Sequence, residues 1–324
     1  MIPKIRRFTA FYMPNLCILG FALNTTENVT AMPSIPDSEL VLTPDGKVYH
    51  LGLRPGDIAE TILTVGDPER VKRISRHFDS IEVQAGKREF VAHTGRIGQK
   101  RLTVLSTGIG PDNIDIAVNE LDALVNFDFD RRTIRESLTP LRLIRLGTSG
   151  AIQEDLDPGA LVISRFGIGL DNLMHYYQFQ NTLRESELWE ALQEFLSYHF
   201  TLPTAPYVFE GNGPLAESLG KGLEQGITLT SPGFYGPQGR QLRAPVRFGG
   251  AELDQLRHFR FGAYRITNFE METSALFGLA RLLGHEAISC NVILGNRIKK
   301  TFVDDPYAVV DRMIELQLER IAAL

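Results

Sequence analysis

The run Asn268-Phe269-Glu270-Met271-Glu272-Thr273-Ser274, continuing into Ala275-Leu276-Phe277-Gly278-Leu279-Ala280-Arg281-Leu282-Leu283-Gly284, decides the reading of this chain. Leu276, Leu279, Ala280 and Leu283 recur at three- and four-residue steps, which predicts an amphipathic helix stopped at Gly284. The acidic pair then stands at the helix mouth. Unpaired N–H groups and the helix dipole favour a carboxylate there, so one glutamate is explained as a capping charge. The other is not. Residues two apart point to opposite faces of a strand and well apart on a helix, so Glu270 and Glu272 are expected in different surroundings. Met271 between them offers an apolar surface beside a carboxylate. That suits a sugar ring with a cis-diol, because one ionised carboxylate accepts hydrogen bonds from both hydroxyls.

Working outward, apolar and β-branched runs predict strands at 61–65, 88–94, 101–107, 141–146, 161–165, 227–231 and 287–294. Helical spacing marks 71–78, 114–125, 183–200 and the stretch from Pro306 onward. Strands alternating with helices argue for a three-layer α/β/α fold around a central mixed sheet. Ligands of such sheets gather at the carboxyl ends of strands, and Gly-rich turns are expected there after Val65, Thr107, Leu146 and Ser231. The charged segment 126–140 is expected to be a surface excursion.

The net charge of −5 gives no basic face for nucleic acid or an anionic membrane. Of the two cysteines, Cys290 lies in an apolar run and is expected as a buried free thiol, which suits a reducing cytoplasm. No run is long and uncharged enough for a transmembrane helix. Lys4, Arg6 and Arg7 precede an apolar stretch, 8–23, with a loose likeness to a secretory signal, but Pro14 and Asn15 interrupt it and the cleavage region lacks a clear small-x-small site. Residues 1–46 are expected to be a tail or linker and 47–324 a single catalytic domain.

Arginines stand at three promising places: Arg70 after the first turn, Arg88 beside Glu89, and Arg145 inside the apolar strand just before Gly147-Thr148-Ser149-Gly150. A guanidinium fork matches phosphate oxygens, and the N–H groups of a Gly turn add donors. Burying Arg145 is costly unless an anion or a carboxylate waits for it. The histidines show no metal-ligand spacing, and P-loop and Gly-x-Ser-x-Gly motifs are absent. In Pro237-Gln238-Gly239-Arg240, an amide and a guanidinium two apart offer donor and acceptor groups together, which suits the imide edge of uracil.

Gly66-Asp67-Pro68-Glu69-Arg70-Val71, Arg88-Glu89-Phe90, Ser106-Thr107-Gly108-Ile109-Gly110, Arg145 through Gln153, and Glu270-Met271-Glu272 resemble the successive motifs of the nucleoside phosphorylase family. The likeness runs in order from about Lys47 to the C-terminus and is greatest to the uridine-cleaving branch. It implies that Gly66, Arg70, Arg145 and Thr148 hold phosphate, with Arg88 reaching in from a neighbouring subunit. It also implies that His50 meets the sugar 5′-hydroxyl across that interface, that Met271 and Glu272 seat the ribose, and that Phe234, Gln238 and Arg240 receive the base. No metal or cofactor is implied; inorganic phosphate is the co-substrate, and a homodimer or homohexamer is expected. Purine-cleaving relatives carry an aspartate after the last buried strand, where this chain has Leu294-Gly295-Asn296-Arg297. The alternatives are a purine nucleoside phosphorylase, a nucleoside hydrolase, or a non-catalytic nucleoside-binding protein.

Overall fold

The strand Thr61–Val65 is buried along its whole length, as a β-branched apolar run must be when both faces of its sheet are covered. In the computed structural model, which describes residues 34–324, it pairs in parallel with Lys100–Ser106 on one side and Arg142–Ala151 on the other. Beyond Lys100–Ser106 come the antiparallel strands Phe90–Ile97 and Ser80–Lys87. Beyond Arg142–Ala151 the order is Glu286–Asn296, Leu161–Gly169, Glu224–Thr230 and Tyr264–Glu270. Helices flank this mixed sheet, among them Pro68–Ser75, Pro111–Asn126, Thr273–Leu282 and Pro306–Ala322.

Half of the sheet closes on itself. The Tyr264–Glu270 strand also pairs antiparallel with the end of Arg142–Ala151, through Asn268 opposite Ala151 and Phe269 opposite Gly150. Glycines on the Leu161–Gly169 strand permit close packing against it. A methyl group at Gly169 would stand 2.1 Å from the Tyr207 ring, and one at Gly167 would stand 2.8 Å from Ser274 Cα. Gly167 lets the start of helix Thr273–Leu282 lie directly on the sheet, and Gly169 makes room for the Tyr207 ring.

Several elements differ from expectation for identifiable reasons. Residues 147–150 continue the Arg142–Ala151 strand and do not turn. Gly147 is small because a methyl there would stand 2.5 Å from Asn291 Oδ1 and 3.2 Å from the Arg145 guanidinium. The helix expected at 71–78 runs from Pro68 to Ser75, since Asp67 accepts from the Glu69 N–H and Pro68 can begin a helix. The edge strand Ser80–Lys87, largely exposed, carries too little apolar pattern to be legible.

Residues 34–46, assigned above to the tail, are folded against the rest. Leu40 is buried in the core, and Leu42 bridges Val48. The 126–140 excursion holds this segment: Arg132 donates from Nε to the Ile35 carbonyl (2.8 Å) and from Nη2 to the carbonyls of Pro36 and Leu40. The signal-like stretch and Cys17 lie outside the described residues, while Cys290 is a buried free thiol. No described helix is long and apolar enough to cross a membrane.

The glycine argument is open to test. Gly169→Ala forces a methyl into Tyr207 and should destabilise the protein by about 1–3 kcal/mol, measured by denaturant unfolding. An unchanged midpoint would show that the Tyr207 ring moves aside freely.

Candidate active site

Strand ends converge on a cavity of about 740 Å³. Arg145 enters it from the Arg142–Ala151 strand with its side chain only 4% exposed. Its Nε donates to Glu270 Oε2 (3.4 Å) and its Nη2 to Glu272 Oε2. Nη1 is buried and has no hydrogen-bond partner among the described residues.

The two glutamates therefore share one guanidinium, contrary to the expectation of different surroundings. The alternation rule fails because Glu270 is the last strand residue, and the backbone at Glu272 (φ −141°, ψ −26°) has already left strand geometry. Glu270 is the capping charge. Its carboxylate accepts the N–H groups of Glu272 (2.9 Å) and Thr273 (2.9 Å) and the Thr230 hydroxyl (2.7 Å). Glu272 Oε1 accepts the Gly110 N–H (2.9 Å), which ties it to the loop before helix Pro111–Asn126. Burial pushes the Glu272 carboxyl up to about 7; Arg145 opposes the rise and Glu270 adds to it.

Arg70, in the first turn of helix Pro68–Ser75, is buried beside Arg145 and donates from Nη1 to the Leu146 carbonyl (3.1 Å). Burial first, and then the like charge of Arg145, lower its guanidinium to about 10. Gly66 and Thr148 line the same cavity. Two buried cations, one with a free donor, form a place where an anion lowers the energy.

The other wall comes from the irregular loop after Glu224–Thr230. The turn Gly236–Gln238 ends at Gly239 in the left-handed region (φ +67°), which brings the Arg240 N–H back to the Tyr235 carbonyl (2.8 Å). Arg240 Nη1 donates to Gln238 Oε1 (2.5 Å) and to the Phe234 carbonyl (2.6 Å), with its guanidinium carbon 3.7 Å from the Phe234 ring centre. Burial and nearby Arg297 lower Arg240 to about 10. Phe234, Gln238, Arg240 and Met271 all line the cavity.

His50 and Arg88 do not. Arg88 is exposed at a hairpin tip with φ +56°. Lys87 next to it sits 3.6 Å over the Tyr49 ring and donates to the Tyr49 carbonyl (2.5 Å). Arg88 and His50 are thus neighbours by sequence of one contact pair, and neither lines their own chain's cavity. His50 Nδ1 is fixed by Glu120 Oε1 at 2.6 Å.

Sequence reasoning missed Arg297 and the turn carrying Lys300, Thr301 and Phe302, which also line the cavity. Arg297 Nη1 donates to the Gln238 carbonyl (2.9 Å) and braces the loop. Its position after a buried strand was noticed only for lacking an acid. Asn296 beside it is fully engaged: Nδ2 donates to the carbonyls of Gln153 and Leu156 (both 2.8 Å), and Oδ1 accepts the N–H groups of Ile298 and Lys299 (both 2.9 Å).

Comparison with known proteins adds to this geometry. Residues 60–323 match the family model described as the phosphorylase superfamily. A uridine phosphorylase of Thermococcus kodakarensis is 32% identical over 264 residues, covering 80% of this chain and 81% of its own. The crystal structure of a Trypanosoma brucei nucleoside phosphorylase, described as showing uridine phosphorylase activity, superposes with a TM-score of 0.79 at 30% identity. That match covers 88% of this chain and all of the other. A DeoD-type purine nucleoside phosphorylase of Brevibacillus brevis is 27% identical over 274 residues, covering 83% of this chain and 97% of its own.

Proposed function

This chain belongs to the phosphorylase superfamily, and from that premise we propose that it is a pentosyltransferase that cleaves uridine with inorganic phosphate, giving uracil and ribose 1-phosphate. The observation that carries the reading is Arg145, buried between Glu270 and Glu272 with Nη1 unpartnered and Arg70 alongside. A protein that only binds or hydrolyses nucleosides has no use for such paired cations under the sugar site.

The division of labour follows from the two walls. Arg70, Arg145, Gly66 and Thr148 hold phosphate against the face of the ribose. Met271 packs on the sugar, and ionised Glu272 accepts its hydroxyl pair. As the C1′–N1 bond lengthens, positive charge builds on the ribose and negative charge on the base. Phosphate stabilises the first and then captures C1′. Gln238 and Arg240, preorganised against Phe234, stabilise the second through the uracil carbonyls. Positioning and fixed charge supply the rate without a covalent intermediate.

His50 and Arg88 act in a neighbouring subunit, so the enzyme works as a homodimer or a larger assembly. That neither lines its own chain's cavity supports that sharing. The purine alternative is disfavoured by Asn296, whose amide is spent on backbone groups and offers no acid to a purine ring. A reducing cytoplasm suits the buried free thiol of Cys290.

Uracil release from uridine should depend on added phosphate and yield ribose 1-phosphate in equal amount. Equal rates with and without phosphate would mean hydrolysis. A second outcome concerns acidity. Glu272, raised to about 7, is increasingly protonated below that pH and loses the charge that accepts the hydroxyl pair. Uridine affinity, measured calorimetrically without phosphate, should therefore weaken as pH falls below about 7, approaching tenfold per unit. In Glu272→Gln this dependence should vanish; tighter binding in acid would contradict the assignment.

A further inference from the structure

The charges lining the cavity are divided unevenly. Its carboxylates, Asp67, Glu270 and Glu272, all belong to the phosphate end: Glu270 and Glu272 bind Arg145, and Asp67 caps the helix that carries Arg70. At the base end stand Arg240, Arg297 and Lys300 with no carboxylate among them. Arg240 and Arg297 bond only to carbonyl and amide oxygens. Lys300 is exposed, held at φ +56° in a turn over the cavity, and is in no ion pair among the described residues. Its neighbour Lys299 instead pairs with Asp157 (2.6 Å).

More positive charge lies nearby. Arg240 also lines a second cavity of about 590 Å³, together with Arg243 and Arg247. Neither of these exposed arginines has a carboxylate partner among the described residues. A neutral uracil does not need so many uncompensated cations. The general anion-stabilising role of Arg240 and Gln238 leaves Arg297, Lys300, Arg243 and Arg247 without a counter-charge.

Resting on the phosphorolytic reading above, we propose that the base end accepts pyrimidine nucleosides bearing an acidic substituent on the base, on the edge away from the sugar, and cleaves them. The bond changes are those of uridine. The C1′–N1 bond breaks with its electron pair going to the base, and a C1′–O bond to phosphate forms. The departing base carries its carboxylate in addition to the new negative charge and takes a proton from water afterwards. In water a second negative charge burdens that departure. Here Arg240, Arg297 and Lys300 offset it, and the advantage is screened by salt because Lys300 is exposed.

The test compares 5-carboxyuridine with its neutral counterpart 5-carbamoyluridine, with uridine as the reference. The acid should be cleaved with kcat/KM at least equal to that of the amide, and the acid-to-amide ratio should fall as salt is raised. Lys300→Gln should lower that ratio about two- to fivefold, the range of one exposed ion pair. An acid cleaved more slowly than the amide, or a ratio unmoved by Lys300→Gln, overturns the proposal. A raised KM for phosphate with the ratio unmoved would assign these cations to phosphate entry, which also overturns it. Uridine cleavage that persists in those cases leaves the phosphorolytic reading intact, whereas failure of phosphate-dependent uridine cleavage removes the reading itself.

Discussion

A guanidinium buried between two carboxylates, Arg145 with Glu270 and Glu272, is the contact on which the rest of this structure depends. Taking an ion from water into a protein interior costs several kcal/mol even after relaxation. The fold offsets this by bringing two acids from one chain segment onto a cation from another strand, with all three side chains nearly sealed from solvent. Ring closure makes the meeting possible. Gly150 and Ala151 pair with Phe269 and Asn268, so the Arg142–Ala151 strand ends beside the residue that begins the acidic motif.

The same contact leaves something undone. Among the described residues Arg145 keeps one buried donor without an acceptor, and Arg70 lies close enough to repel it. Glu272 is held near the threshold of ionisation by burial. In the proposed reaction each imbalance has its answer: phosphate satisfies the two guanidinia, and the ribose hydroxyls share the Glu272 charge. Interactions completed only when substrates arrive are the ones that can be stronger in the transition state than before it.

Much of this was legible in the sequence because it is local. The helix after Glu272, its stop at Gly284, the buried strand around Cys290 and the proline-led C-terminal helix follow from spacing and caps within a few residues. What escaped was non-local. Ring closure joins residues more than a hundred positions apart, and Gly147 looked like part of a turn when it serves close packing in a strand. The convergence of both glutamates on Arg145 was hidden for a related reason, since alternation was assumed past the point where the strand ends. Arg297 and Lys300 carry no local pattern; only the fold places them at the cavity. Residues 34–40 looked like a polar tail, and only the Arg132 clamp reveals why they are held.

The cage of cations can be examined without turnover. Inorganic phosphate should bind the intact protein measurably by calorimetry, and Arg70→Gln and Arg145→Gln should each weaken it by about tenfold or more, the scale of one charge-assisted contact. Because the two guanidinia share one ligand, the double variant should lose less than the sum of the single losses. Phosphate affinity unchanged by both substitutions would contradict the account at its centre.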